Sequence, residues 1–214
     1  MPLLSPPALL NNARWRGLRV GLLGGSFNPP HAGHVHISLA AMKGLALDAV
    51  WWLVTPQNPL KAELPLPLER RMALSRALVT HPRMIVSDIE ADLGTTTTYD
   101  TVRLLKKHYR HTGFVWISGM DNALSLHQWN HWRGLLGEIC MLHLTRSPAK
   151  SLVKSCPLRL YAPQRHVVLT QGGRFPLDPG TTYWMMQNKM VNISSTDIRR
   201  QQAENMHNNS VFSV

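Results

Sequence analysis

Two rhythms of apolar and polar residues take turns along the chain. Short apolar runs at Arg19–Leu23, Ala49–Val54 (AVWWLV), Arg83–Ser87, Phe114–Ser118 and Glu138–Thr145 predict strands. A run as unbroken as AVWWLV fits a strand covered on both faces, as in the middle of a parallel sheet. Between the runs the period lengthens. Val35, Leu39 and Met42 lay a stripe along His34–Gly44, Leu68, Met72 and Val79 along Leu68–Val79, and Val102, Leu105 and Tyr109 along Thr98–Tyr109. These three segments are predicted helices. The start of the third, TTTTYD, offers several hydroxyl caps.

Strand, helix, strand, helix with short connections predicts an α/β fold, a Rossmann-like doubly wound parallel sheet in a single domain. Residues 1–17 read as an N-terminal extension, 18–203 as the folded body and 204–214 as a frayed tail. Within the body, 147–180 is rich in Pro, Lys, Arg and Gly without a period, and reads as a flexible insertion around a short strand at His166–Thr170. Order returns at NISSTDIRR, where Ser194, Ser195 or Thr196 could cap a last helix. Sheets of this kind bind ligands past the carboxyl ends of their strands. Gly24–His34, Thr55–Lys61 and Gly119–Asp121 are therefore the candidate site.

Composition narrows the class. Of 214 residues, 44% are hydrophobic and 16% charged, which suits a globular protein. No apolar run reaches the roughly 18 residues of a membrane span. The opening MPLLSPPALLNNARWR has prolines and no basic start, so it reads as a loose leader and not a signal peptide. The two cysteines, Cys140 and Cys156, build no disulfide framework, and the expected location is cytoplasmic. A formal charge of +11 suits a polyanionic partner. The basic residues are scattered, though, which argues against a nucleic-acid groove.

The densest chemistry lies in GLLGGSFNPPHAGH, residues 21–34. A strand stops on Gly24-Gly25, Pro29-Pro30 stiffen the turn, and His31 and His34 follow three apart. A strand-to-helix turn gathers backbone N–H groups and the positive helix end, which suits phosphate. The glycines allow close backbone approach, and the imidazoles supply further N–H donors. Neither GxxxxGK nor GxGxxG is present. Two plainer readings stay open on these residues alone: a strand-ending turn with surface histidines, or a zinc site of His31, His34 and His36. The zinc site has no cysteine or carboxylate nearby to complete it.

GGSFNPPHAGH resembles the loop GG[ST]FDPxHxGH of the HxGH nucleotidyltransferases, and within them the bacterial nicotinate-nucleotide adenylyltransferases. TPQNPLK, GTTTTYDTV, SGMDNALSLHQWNHW, HLTRSP and the closing NISSTDIR continue the resemblance in family order. It implies a nucleotidyltransferase-type fold that transfers AMP from ATP to nicotinate mononucleotide, giving nicotinate adenine dinucleotide and pyrophosphate. It further implies that His31, His34, Lys61 and Arg199 are catalytic. ATP would lie on Gly24, Gly25, Ser26, Phe27, His31, His34, Ser195, Thr196 and Arg199. The mononucleotide would lie on Asn28, Lys61, Thr98, Gly119, Asp121, Trp129 and Arg146. Mg²⁺ would arrive with ATP, with no protein metal site. Asn28 stands where the family more often has Asp, and Asn130 where a second aromatic often follows Trp129. Two alternatives remain at this point: a sister enzyme such as the pantetheine-phosphate adenylyltransferase, or a basic nucleic-acid-binding protein.

Overall fold

A computed structural model of the chain describes residues 6–7, 12–56, 65–145, 156–186, 195–201 and 204. Seven strands form one sheet among them: β1 (Arg19–Gly25), β2 (Ala49–Val54), β3 (Met84–Ser87), β4 (Gly113–Gly119), β5 (Cys140–Thr145), β6 (Arg165–Leu169) and β7 (Thr181–Met186). Their order is β3-β2-β1-β4-β5-β7-β6, with every pairing parallel. The expected doubly wound sheet is the observed one. The order switches direction at β1, which pairs with β2 on one side and β4 on the other.

Alternation along the strands sorts side chains onto two faces. Every residue of β2 is buried. Trp51 packs with Val20, Leu22 and Trp116 on one face, and Trp52 with Leu23, Phe27 and Ile117 on the other. Helices α1 (Ala32–Leu45) and α2 (Leu68–Leu78) cover the Trp52 face. The short α3 (Ile89–Leu93), α4 (Thr98–His108), α5 (Met120–Ser125) and α6 (Trp132–Glu138) cover the Trp51 face. The predicted helices end within two residues of their expected bounds. The sequence reading missed α3, α5 and α6, because helices of 5–7 residues span too few turns to show a period, and it also missed β7.

Two boundaries shift. The extension expected over 1–17 does not run that far, because Trp15 is wholly buried with its ring edge-on to Trp51 at 4.6 Å. Residues 156–180, expected within a flexible insertion around a strand at His166–Thr170, include that strand as β6 and, beyond the expectation, a 3₁₀ turn at Pro157–Leu160. Cys156 and Leu158 there are buried in the Trp51-side core. Cys140 is buried on the opposite side. Among the described residues no helix is long and apolar enough to cross a membrane.

Candidate active site

Because the sheet is parallel, the carboxyl ends of β1, β2 and β4 open on one rim, and the segments from Gly24, Thr55 and Gly119 leave the sheet there. Past β1 the chain passes through Ser26 and then Phe27, which has a left-handed φ of 46°. That conformation costs a side-chain-bearing residue roughly 1–2 kcal/mol. Burial offsets it: Phe27 stacks on Trp52 with centroids 4.9 Å apart and packs against His34 at 4.8 Å. The Asn28-Pro29 peptide is cis. The turn then enters α1, and each histidine serves the helix start with one nitrogen. His31 Nδ1 accepts from the backbone N–H of Gly33 (3.1 Å), and His34 Nδ1 accepts from that of His31 (3.2 Å). A ring nitrogen that accepts from an amide carries no proton, so both neutral imidazoles hold theirs on Nε2. The rings lie 3.9 Å apart, centroid to centroid. The helix start thus sets two N–H donors side by side.

A segment far along the chain closes on this turn. Ser195 Oγ donates to the Pro29 carbonyl at 2.9 Å and Arg199 Nη1 to the Asn28 carbonyl at 2.7 Å. Arg199 Nη2 lies 3.4 Å from Thr196 Oγ1 on the same helical segment, 195–201. The guanidinium is therefore beside the loop that carries the histidines, although 165 or more residues separate them in sequence. Asn28 also acts through its side chain, whose Oδ1 accepts from the Leu66 N–H at 3.3 Å. Its contacts are those of a turn residue, and an amide meets them as well as a carboxylate does.

The sequence reading missed Arg71, the residue that fastens this rim. It is 1% exposed. Its guanidinium donates to four carbonyls: Leu66 (2.7 Å), Ser26 (2.8 Å), Thr55 (2.7 Å) and Pro56 (2.8 Å). One side chain thereby joins the loop after β1, the loop after β2 and the entry to α2. Burial pushes its pKa down from the ordinary arginine value. The signal was present: Arg71 falls beside Leu68 and Met72 of the apolar stripe, on the covered side of its helix.

Gly24 needs a different explanation from the one its motif suggests. A Cβ there would meet the Trp116 ring at 2.6 Å, so the glycine makes room for a tryptophan. At Gly25 a Cβ would make only ordinary contact with Phe27. Trp116 in turn meets Trp129 edge-on, with centroids 6.4 Å apart. Indole packing thus runs from the β1 loop to the segment after α5. Gly119 caps α5, and a Cβ on it would meet Asp121 Oδ1 at 2.8 Å. Asp121 itself lies in the first turn of α5, exposed, with its carboxylate over the end of β4. Thr98 is the first residue of α4. The cap is its neighbour Thr97, whose Oγ1 accepts from the Asp100 N–H at 3.2 Å and donates to Asp100 Oδ2 at 2.7 Å. Lys61 and Arg146 lie outside the described residues.

His36 stands two positions beyond His34 on α1, about 200° round the helix, so it does not share a direction with that ring. Among the described residues no group of three or more His, Cys, Asp or Glu could hold a metal ion.

A family model described as cytidylyltransferase-like matches residues 22–201. A protein of Ruegeria pomeroyi named "Probable nicotinate-nucleotide adenylyltransferase" is 45% identical over 86% of this chain and 86% of its own. One of the same name from Cereibacter sphaeroides (strain ATCC 17025) is 46% identical over 84% of this chain and 96% of its own. The chain belongs to the nicotinate-nucleotide adenylyltransferase family. Among solved structures, the nicotinic acid mononucleotide adenylyltransferase of Plasmodium falciparum complexed with NaAD superposes with a TM-score of 0.64. It is 17% identical, covering 86% of this chain and 83% of that one. At that identity the likeness speaks for the fold, and the fold agrees. Family membership sets aside the nucleic-acid-binding alternative. It also favours the nicotinate enzyme over its pantetheine-phosphate sister.

Proposed function

We propose that the protein transfers AMP from ATP to nicotinate mononucleotide, releasing pyrophosphate and nicotinate adenine dinucleotide for NAD biosynthesis. The observation that carries this reading is the paired imidazoles, with Nε2–H on both rings, on a loop tied to Arg199. An oxygen of the mononucleotide phosphate attacks the α-phosphorus of ATP. The bond from that phosphorus to the bridging oxygen of pyrophosphate breaks, and its electron pair leaves with pyrophosphate. The attacking group is already ionised at neutral pH, so no protein nucleophile or general base is needed. Alignment and charge stabilisation carry the catalysis.

In this reading His34 and His31 donate to the phosphate oxygens where charge grows, and the turn 24–27 lies along the nucleotide. Ser195, Thr196 and Arg199 hold the triphosphate, with Lys61 completing the cationic set. Asp121 and Gly119 receive the acceptor's ribose, Trp129 offers its face to the cationic pyridine ring, and Arg146 and Asn28 border the same nucleotide. The Thr98 N–H, orphaned at the head of α4, meets the nicotinate carboxylate. The groups at the ATP side are N–H and O–H donors, which suit phosphate oxygens and not a bare cation. That donor set fits Mg²⁺ carried in on ATP, where the ion would neutralise part of the triphosphate charge. The protein would work in the cytoplasm, in keeping with its two free, buried cysteines.

The test is pyrophosphate release from ATP with each mononucleotide in turn. Turnover should be much faster with the nicotinate form. Equal rates would remove the acid specificity, and silence with both would remove the activity.

A further inference from the structure

Beneath the head of α4 lies a buried carboxyl that the transfer itself does not use. Glu90, on α3, is 4% exposed. Its Oε1 accepts from Thr101 Oγ1 at 3.1 Å, while Oε2 is buried without a hydrogen-bond partner. Thr101 Oγ1 also lies 2.8 Å from Thr95 Oγ1 and 3.0 Å from the carbonyl of Thr97. Thr101 and Thr95 are themselves buried, and the Thr95 N–H donates to the Glu90 carbonyl at 3.1 Å. The buried group thus holds both ends of the TTTT turn.

We infer that Glu90, acting through Thr101, is a positioning residue that orients the Thr97–Thr98 peptide and so sets recognition of the acceptor's carboxylate. The inference rests on the reading of Thr98 as the carboxylate contact. A peptide unit is planar, so the direction of the Thr97 carbonyl fixes that of the Thr98 N–H on the same plane. That carbonyl is held from one side by Thr101, through its backbone N–H at 3.0 Å and its hydroxyl.

A hydroxyl has one proton to give. If Thr101 spends it on an ionised Glu90, it reaches Thr97 with its backbone alone. If Glu90 is protonated and donates to Thr101, the hydroxyl proton is free for the Thr97 carbonyl. Burial raises the Glu90 carboxyl to about 7, so the donating form is populated at neutral pH. The neutral form also places no negative charge under a turn that receives an anion.

Four variants with both substrates varied separate this role from general stability. Glu90→Ala and Thr101→Val should raise KM for nicotinate mononucleotide about tenfold, the worth of one net hydrogen bond. In both, KM for ATP and kcat should stay within about twofold. Glu90→Gln, which can still donate to Thr101, and Thr101→Ser, which keeps the hydroxyl, should restore most of the loss. Equal rises in both KM values, or wild-type KM values in Glu90→Ala and Thr101→Val, would overturn the inference. Should Glu90→Ala fail to fold, the Thr101 pair decides. Wild-type enzyme that does not prefer nicotinate over nicotinamide mononucleotide would instead overturn the reading of Thr98 on which the inference rests.

Discussion

The two sides of the rim are built by opposite means. The proposed ATP side, from Gly24 to His34 with Ser195 and Arg199, is held mostly through backbone carbonyls, which Arg71, Arg199 and Ser195 grip from afar. The proposed acceptor side, around Thr95–Thr101, is held by a chain of buried hydroxyls ending on a carboxyl. A backbone carbonyl offers the same acceptor whatever side chain it carries. The first side can therefore be pinned by distant cations, while its exposed residues are left for chemistry. A hydroxyl chain depends on which atom holds each proton. The second side is accordingly the one on which a proton can change geometry.

The sharpest way to break this comparison is at His34. His34→Ala should lower turnover by about a hundredfold or more, the scale of losing one preorganised donor to a developing charge. Its circular dichroism should remain native, because the variant keeps the backbone hydrogen bonds of α1 and the buried stack of Phe27 on Trp52. An unfolded variant would make His34 a structural cap and leave the ATP side without its chemistry.

Arg71 tests the fastening rather than the chemistry. Arg71→Ala removes the donor to four carbonyls and empties a buried side-chain site, and should cost about 3 kcal/mol or more in urea unfolding. A loss below 1 kcal/mol would mean that the loops after β1 and β2 hold together without it.

The smallest effect is a matter of pH. The folded Glu90 carboxyl is raised to about 7 from an ordinary 4.5, so the folded state keeps a proton that the unfolded chain releases. Its contribution to stability is complete below about 4.5 and is lost as pH rises through about 7. Glu90→Gln should therefore gain stability relative to wild type across that window and level off above it. Parallel stability curves for the two proteins would show that the acceptor side holds no such proton.

How much of this was legible in the chain differs by element. The strand runs and three helix stripes located β1 to β6 and α1, α2 and α4, because burial on both faces or along one side leaves a pattern in sequence, although Leu39 of the α1 stripe is 42% exposed. β7 is as buried as β5, yet TTYWMM follows a Pro- and Gly-rich stretch and begins with two threonines, so its run was not read as a strand. Of the site, the histidines, Ser195 and Arg199 stood in motifs with short internal spacing. Arg71 and Glu90 sit in no motif, since what defines each is its contacts with residues 5 to 45 positions away.

By itself the sequence determined the fold class, the turn that ends on two histidines, and the family to which the chain belongs. These follow from local patterns: apolar periodicity, glycines and prolines at a strand end, and residues three or four apart on a helix. Only the tertiary structure decided that Gly24 yields to Trp116, that Arg199 meets the Asn28 carbonyl, and that Glu90 is shut away beneath the TTTT turn. Each of those depends on which distant atoms share a space and how much water is left beside them. Neither quantity is written in the order of the residues.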